Sequence, residues 1–219
     1  MNVIVISPHP DDETLGAGGT ILRMVAEGHY LTWLNITNMK EEYGYSKEMV
    51  EKRQEEIAFV RKALGFERFF DLGIKPTEVD SYPRNLLIQR IKEIFEEVKP
   101  EVVILPYFGD AHSDHKVVFE ATFACTKSFR APYVKKILCM EIPSETNYGL
   151  PEHTFYPNYY VSIDEYIDKK IEIFSNYESE IQYSPYPRSA DAIKGLAAYR
   201  GSSCSKRYAE AYQLLKEIY

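Results

Sequence analysis

No stretch of this sequence approaches the roughly 20 consecutive apolar residues of a membrane-spanning helix. The apolar start, Val3 to Ile6, is far too short for a signal-peptide core and has no basic leader. A basic excess is also missing. The 26 Lys and Arg against 33 Asp and Glu leave a formal net charge of −7, so the positive footprint that phosphate backbones demand is lacking and nucleic acid is not an expected partner. Cysteine is scarce: Cys125, Cys139 and Cys204 form no CxxC pair and are odd in number. That excludes a disulfide scaffold and fits reduced thiols in a cytoplasmic protein. Repeats, low-complexity tracts and linker-like segments are absent too. What remains is 219 residues with 45% hydrophobic and 27% charged, an ordinary globular balance. It is enough for a single domain, 1–219, with a substantial core.

Apolar runs and amphipathic stretches alternate along the first 140 residues. Strands are expected at Val3–Ser7, Tyr30–Thr37, Arg68–Leu72, Val102–Pro106 and Lys135–Ile142, with an edge strand at Tyr159–Ile163. Helices are expected at Thr14–Glu27, at Ser46–Leu64 between a Ser46 cap and a Gly65 stop, at Arg84–Val98 and at His115–Phe129. Further helices follow from an Asp164 cap to Tyr177, over Ala190–Tyr199 and over Ser205–Ile218. Such alternation predicts an α/β fold, a Rossmann-like doubly wound, mostly parallel sheet with helices on both faces. Tyrosine (18) and phenylalanine (11) are plentiful, many of them in residues 129–187. They suit a ring-shaped ligand such as a carbohydrate, and equally the packing of loops onto the domain.

Histidine is rare, five in all, and three fall in two short clusters. The first, Pro8-His9-Pro10-Asp11-Asp12-Glu13, sits where a buried strand passes into a helix. The second, Asp110-Ala111-His112-Ser113-Asp114-His115, follows another apolar run about a hundred residues later. Open α/β sheets bind ligands at the carboxyl ends of their strands. Helix capping needs one polar side chain, and each cluster has several. Imidazole and carboxylate are both good zinc ligands. The two clusters together therefore predict one metal site built from two strand ends, with His9 and Asp12 as candidate ligands from the first and the choice among His112, Asp114 and His115 open in the second.

These motifs, with Gly18-Gly19-Thr20, resemble the signature of the LmbE-like (PIG-L) zinc-dependent N-deacetylases. His112-Ser113-Asp114-His115 is similar to the family's second motif, which usually has proline where Ser113 stands. Looser echoes are Arg53-Gln54-Glu55-Glu56 before Leu64-Gly65, Glu141 at a strand end, and Ala198-Tyr199-Arg200-Gly201. The resemblance implies Zn2+ as cofactor, held by His9, Asp12 and His115, and removal of an acetyl group from an N-acetylglucosamine-type amide. It implies a small-molecule N-acetylated amino sugar as substrate, and family members often form homo-oligomers. By the matching position, Asp11 is the expected general base. The developing oxyanion needs a donor besides the metal, and His112, three residues before a ligand, fits if protonated, with Asp114 placed to hold its ring and raise its pKa. Arg53 matches an arginine that holds the sugar or its attached group, although a helix arginine amid Glu51, Lys52, Glu55 and Glu56 also reads as a solvated surface residue.

Two other classes compete. A metal-dependent phosphoesterase would need a second carboxylate-rich cluster or a basic phosphate cradle, and neither is visible. A non-catalytic sugar-binding protein on the same fold would have no need of Asp11 and His112, which are present. Fold by itself decides none of this.

Overall fold

A computed structural model describes all 219 residues. Seven strands form one sheet: β1 (Asn2–Ser7), β2 (Tyr30–Thr37), β3 (Arg68–Ile74), β4 (Val102–Leu105), β5 (Lys136–Met140), β6 (Tyr159–Ser162) and β7 (Ala209–Glu217). Their spatial order is β3-β2-β1-β4-β5-β7-β6. The first five are mutually parallel, and β7 runs antiparallel to both its neighbours. Six helices complete the chain: α1 (Asp12–Ala26), α2 (Lys47–Leu64), α3 (Arg84–Val98), α4 (Ser113–Cys125), α5 (Ile167–Phe174) and α6 (Ala190–Ser202).

Alternation along β1 explains why helices cover both faces. Val3 and Val5 belong to one apolar core, with Ile21 of α1 and Ile57 of α2. Ile4 and Ile6 belong to the other, with Leu87 of α3 and Val118 of α4. Side chains two apart on a strand share a face, so a run apolar at every position demands burial on both sides. Strand order reverses between β1 and β4. Such a reversal opens a crevice at the carboxyl ends of the two strands, and both histidine clusters lie there.

Local signals hold well in the first half. Ser46 Oγ accepts the Met49 amide at the start of α2, and Gly65 ends the helix at φ 81°. The second half departs from the sequence reading in three places. Helix is the expectation for Ser205–Ile218, and Ala209–Glu217 is instead strand β7. Its Ala, Glu, Leu and Lys favour a helix locally, but pairing with β5 and β6 buries Ala209, Ala211 and Tyr212. Asp164 does not cap a helix. Its Oδ1 accepts the Tyr208 amide, and α5 begins three residues later at Ile167. The helix expected to run to Phe129 stops at Cys125.

One contact ties distant parts of the chain together. Glu210 of β7 points into α1, where its carboxylate accepts the Gly19 and Thr20 amides at 2.9 and 2.7 Å. Lys170 of α5 donates to Glu210 and to the Leu15 carbonyl, both at 2.7 Å. The pair is buried, and every charge in it is hydrogen-bonded, as burial requires. Gly19 also lets Ile163 pack against α1: a Cβ there would lie 2.6 Å from the Ile163 side chain.

Candidate metal centre

Asp12 begins α1, and its Oδ2 accepts the His9 amide at 2.9 Å. The same Oδ2 lies 3.4 Å from His9 Nδ1 and 3.4 Å from His115 Nε2. Ligand atoms about 2.0–2.1 Å from a four-coordinate ion stand roughly 3.4 Å apart, so this spacing fits a common metal. Each imidazole is backed by a carboxylate on its other nitrogen. His9 Nε2 meets Asp114 Oδ2 at 2.9 Å, and His115 Nδ1 meets Asp110 Oδ2 at 2.8 Å. Histidines that bind metals are oriented in this way. His115 Nε2 is fully buried and has no hydrogen-bond partner. A buried nitrogen without a partner is costly, and a cation bound by His9, Asp12 and His115 would satisfy it.

The group His9, His112 and Asp114 is also compact, but its atoms have other partners. Asp114 accepts the Thr77 and Val79 amides at 2.8 and 3.1 Å besides His9. His112 Nδ1 accepts the Asp114 amide at 3.1 Å and so caps α4. An accepting Nδ1 leaves the proton of a neutral ring on Nε2. The ring is held by the Asp114 amide and not, as expected, by its carboxylate: the two side chains are 4.0 Å apart. Burial and the charge of His9 outweigh the upward pull of the Asp114 charge and hold the His112 pKa below its ordinary value.

Charges around Asp12 are strongly coupled. Burial opposes protonation of His9, yet its hydrogen bonds to Asp114 and Asp12 carry its pKa up to about 9. Burial likewise opposes protonation of His115, and the Asp12 charge overcomes it. Burial would raise Asp12, but His115 holds it well below the carboxylate range. The positive charge gathered around Asp12 is what a divalent ion would bring to the same point.

Asp11 stands beside this group in a conformation L residues rarely adopt, φ 150° and ψ −31°, and its side chain caps no helix amide. Strain of that kind costs about 1–3 kcal/mol and collects at functional sites. Its backbone is held by Glu13, whose carboxylate accepts the Asp11 amide at 3.1 Å, the Thr14 hydroxyl at 2.6 Å and the Tyr177 hydroxyl at 3.0 Å. Burial, then the charges of Asp12 and Glu180, push the Asp11 carboxyl well above its usual pKa, with Arg188 and His9 pulling the other way.

A cleft of about 210 Å³ opens over these residues and is lined by His9, Asp11, Asp12, His112, Arg53 and Arg188 among others. Arg53 is not the solvated surface residue that its neighbours in sequence suggest: it is 4% exposed. It donates to the Pro10 carbonyl at 2.9 Å, to Ser179 Oγ at 2.8 Å and to Glu180 Oε1 at 2.6 Å, and it pairs with Glu56 at 3.0 Å. Sequence reasoning misses its companion Arg188, which meets Asp11 Oδ2 at 3.3 Å and Glu180 Oε2 at 2.8 Å. It also gives no role to Asp110 or Glu180. Asp110 is visible inside the second cluster. Arg188 and Glu180 lie in a stretch with no periodic signal.

Similarity to known proteins agrees with this geometry. The family model PIG-L, described as GlcNAc-PI de-N-acetylase, matches residues 4–126, the span that holds both clusters. A diacetylchitobiose deacetylase of Thermococcus kodakarensis is 27% identical over 234 aligned positions, covering 99% of this chain and 84% of that one. The crystal structure of a conserved protein from Thermus thermophilus superposes with a TM-score of 0.80 at 27% identity, covering 100% and 97% of the two chains. At 17% identity the 4-carboxy-2-hydroxymuconate hydratase of Pseudomonas putida shares the fold, with a TM-score of 0.76 and coverage of 100% and 98%. Both motif clusters lie within the matched family span, which takes in more than half of the sequence, and the chain belongs to the PIG-L family.

Proposed function

We propose that this protein is a zinc-dependent N-deacetylase that hydrolyses the acetamide of an N-acetylglucosamine-type sugar or conjugate. The observation that carries the proposal is the convergence of His9, Asp12 and the partnerless His115 Nε2 beside Asp11. Membership of the PIG-L family and likeness to a diacetylchitobiose deacetylase support the substrate class. The proposal extends to a single domain, residues 1–219, that works in the cytoplasm. Three free cysteines agree with a reducing compartment, and no helix is long and apolar enough to cross a membrane. A homo-oligomer is compatible with it.

The reaction breaks one C–N bond and forms one C–O bond, giving an amine and acetate. Zinc held by His9, Asp12 and His115 would supply Lewis acidity toward water and the acetyl carbonyl. The remaining steps belong to the chain. Asp11 takes the proton from water and returns it to the leaving nitrogen, and a carboxyl with a raised proton affinity suits both transfers. Arg188 holds Asp11 Oδ2. His112, neutral with its proton on Nε2, donates to the carbonyl oxygen as that oxygen gains charge. Asp114 and Asp110 orient the two ligand imidazoles. The phosphoesterase alternative loses ground, because both cleft arginines already face carboxylates and no lysine lines the cleft.

The test is acetate release from N-acetylglucosamine and N,N′-diacetylchitobiose, with metal analysis of the same sample. Release that tracks zinc content supports the proposal. Zinc-loaded, folded protein that releases no acetate from any N-acetylated amino sugar would overturn it in favour of a binding protein.

A further inference from the structure

The cleft that holds the candidate centre has a second wall, which the acetamide does not need. Four carboxylates line the cleft, Asp11, Asp12, Glu145 and Glu180, against two guanidinium groups, Arg53 and Arg188. Glu180 lies between the two arginines. Its Oε1 accepts from Arg53 at 2.6 Å and its Oε2 from Arg188 at 2.8 Å.

That arrangement decides what can sit beyond the amide. A phosphate or carboxylate on the substrate would look for Arg53 or Arg188, the only permanent cations on the wall. It would find Glu180 bonded to both of them and Asp11 bonded to one. Like charges brought together in a partly desolvated cleft repel strongly. A sugar hydroxyl meets no such barrier. It can accept from a guanidinium N–H without displacing Glu180, and Arg188 Nε is a buried donor with no partner. Thr37, Asn38, Tyr45, Thr77 and Ser144 add neutral polar groups to the same cleft, and groups of this kind match hydroxyl-rich rings.

We infer that Glu180 is a specificity-determining residue that blocks both cleft arginines to anions, so that the substrate is an uncharged N-acetylglucosaminyl saccharide and not a phosphate- or carboxylate-bearing conjugate. The inference rests on the deacetylase reading above and adds discrimination by charge, which works through repulsion of the wrong substrate as much as through attraction of the right one.

The experiment compares kcat/KM for N,N′-diacetylchitobiose, N-acetylglucosamine, and the 1- and 6-phosphates of N-acetylglucosamine, using zinc-loaded protein. Both neutral compounds should exceed both phosphates, the disaccharide by about a hundredfold. Glu180→Gln should narrow that ratio about tenfold, by a gain on the phosphates. Raising NaCl to about 0.5 M should narrow it in the unaltered protein, because salt screens charge repulsion, so the inference is testable even if the variant folds poorly. Phosphates processed as well as the disaccharide would overturn the inference and leave the deacetylase reading intact. A neutral preference that neither salt nor Glu180→Gln reduces would remove Glu180 from the account. No acetate from any of the four compounds would count against the deacetylase reading itself.

Discussion

The chain up to Cys125 and the chain beyond Met140 build opposite kinds of wall around one cleft. Candidate ligands and the acid–base group come from turns at the ends of β1 and β4, in two contiguous motifs whose backbone is anchored in parallel strands. The wall opposite them comes from the irregular segment between α5 and α6, where Glu180 and Arg188 are brought in by turns and side-chain bonds. Reactive groups must be held to fractions of an ångström, and strand ends do that. Selectivity can be altered by changing a loop without moving the chemistry. Arg53 of α2 joins the two regions, donating to Pro10 on one side and to Ser179 and Glu180 on the other.

The sharpest way to break this division is to remove a ligand. His115→Ala or Asp12→Ala should abolish metal binding and turnover together, as read by metal analysis of the dialysed protein. Full occupancy in either variant would move the centre elsewhere. Asp11→Asn should retain the metal and lose on the order of 10²–10⁴ in kcat. Asp11→Gly should be equally inactive yet melt about 2–6 °C higher, because glycine relieves the φ of 150°. A lower melting temperature would show that the Arg188 contact outweighs the strain.

Arg53→Leu tests the join between the regions. It removes the guanidinium paired with Glu56 and one of the two held by Glu180, which keeps Arg188, and breaking such a buried pair costs about 3–5 kcal/mol, measurable by denaturant titration. A loss below about 1 kcal/mol would mean that the two walls are fastened elsewhere. Asp114→Asn should weaken metal affinity by about 10–100-fold, since Asp114 backs His9. If affinity held and only kcat fell, Asp114 would act through His112 after all. The smallest expected effect concerns thiols. Burial pushes Cys125 up to about 11 and Cys139 higher still, so neither should react with a thiol reagent at about pH 8 until the protein unfolds, while the less buried Cys204 should.

What can be read in the sequence follows the same division. His9, Asp11 and Asp12 lie within four residues, so a strand end alone brings them together. His112, Asp114 and His115 are legible for the same reason. Their partners are harder to read. Asp114 is two residues from His112, yet the turn into α4 sends its carboxylate to His9, Thr77 and Val79, and only its amide meets His112. The residues around Arg53 alone read as solvated, and only the family resemblance marks it for the substrate; its burial depends on a loop 126 positions away. β7 reads as helix because its residues favour one and its strand partners lie far along the chain. Wherever long-range contact overrides local preference, a single sequence carries little signal.

The Glu210 carboxylate inside α1 sets an order of events for a chain made from its N-terminus. By the time His115 has been synthesised, every proposed ligand exists. The residue that accepts the Gly19 and Thr20 amides is still almost a hundred positions from synthesis. Until β7 arrives, the helix that presents Asp12 has two amides waiting for a distant acceptor, and Lys170 is also still to come. Contacts that span 191 positions are slow to close. A nascent chain released before Glu210 would carry the whole proposed ligand set on a helix that nothing from β7 has yet fastened.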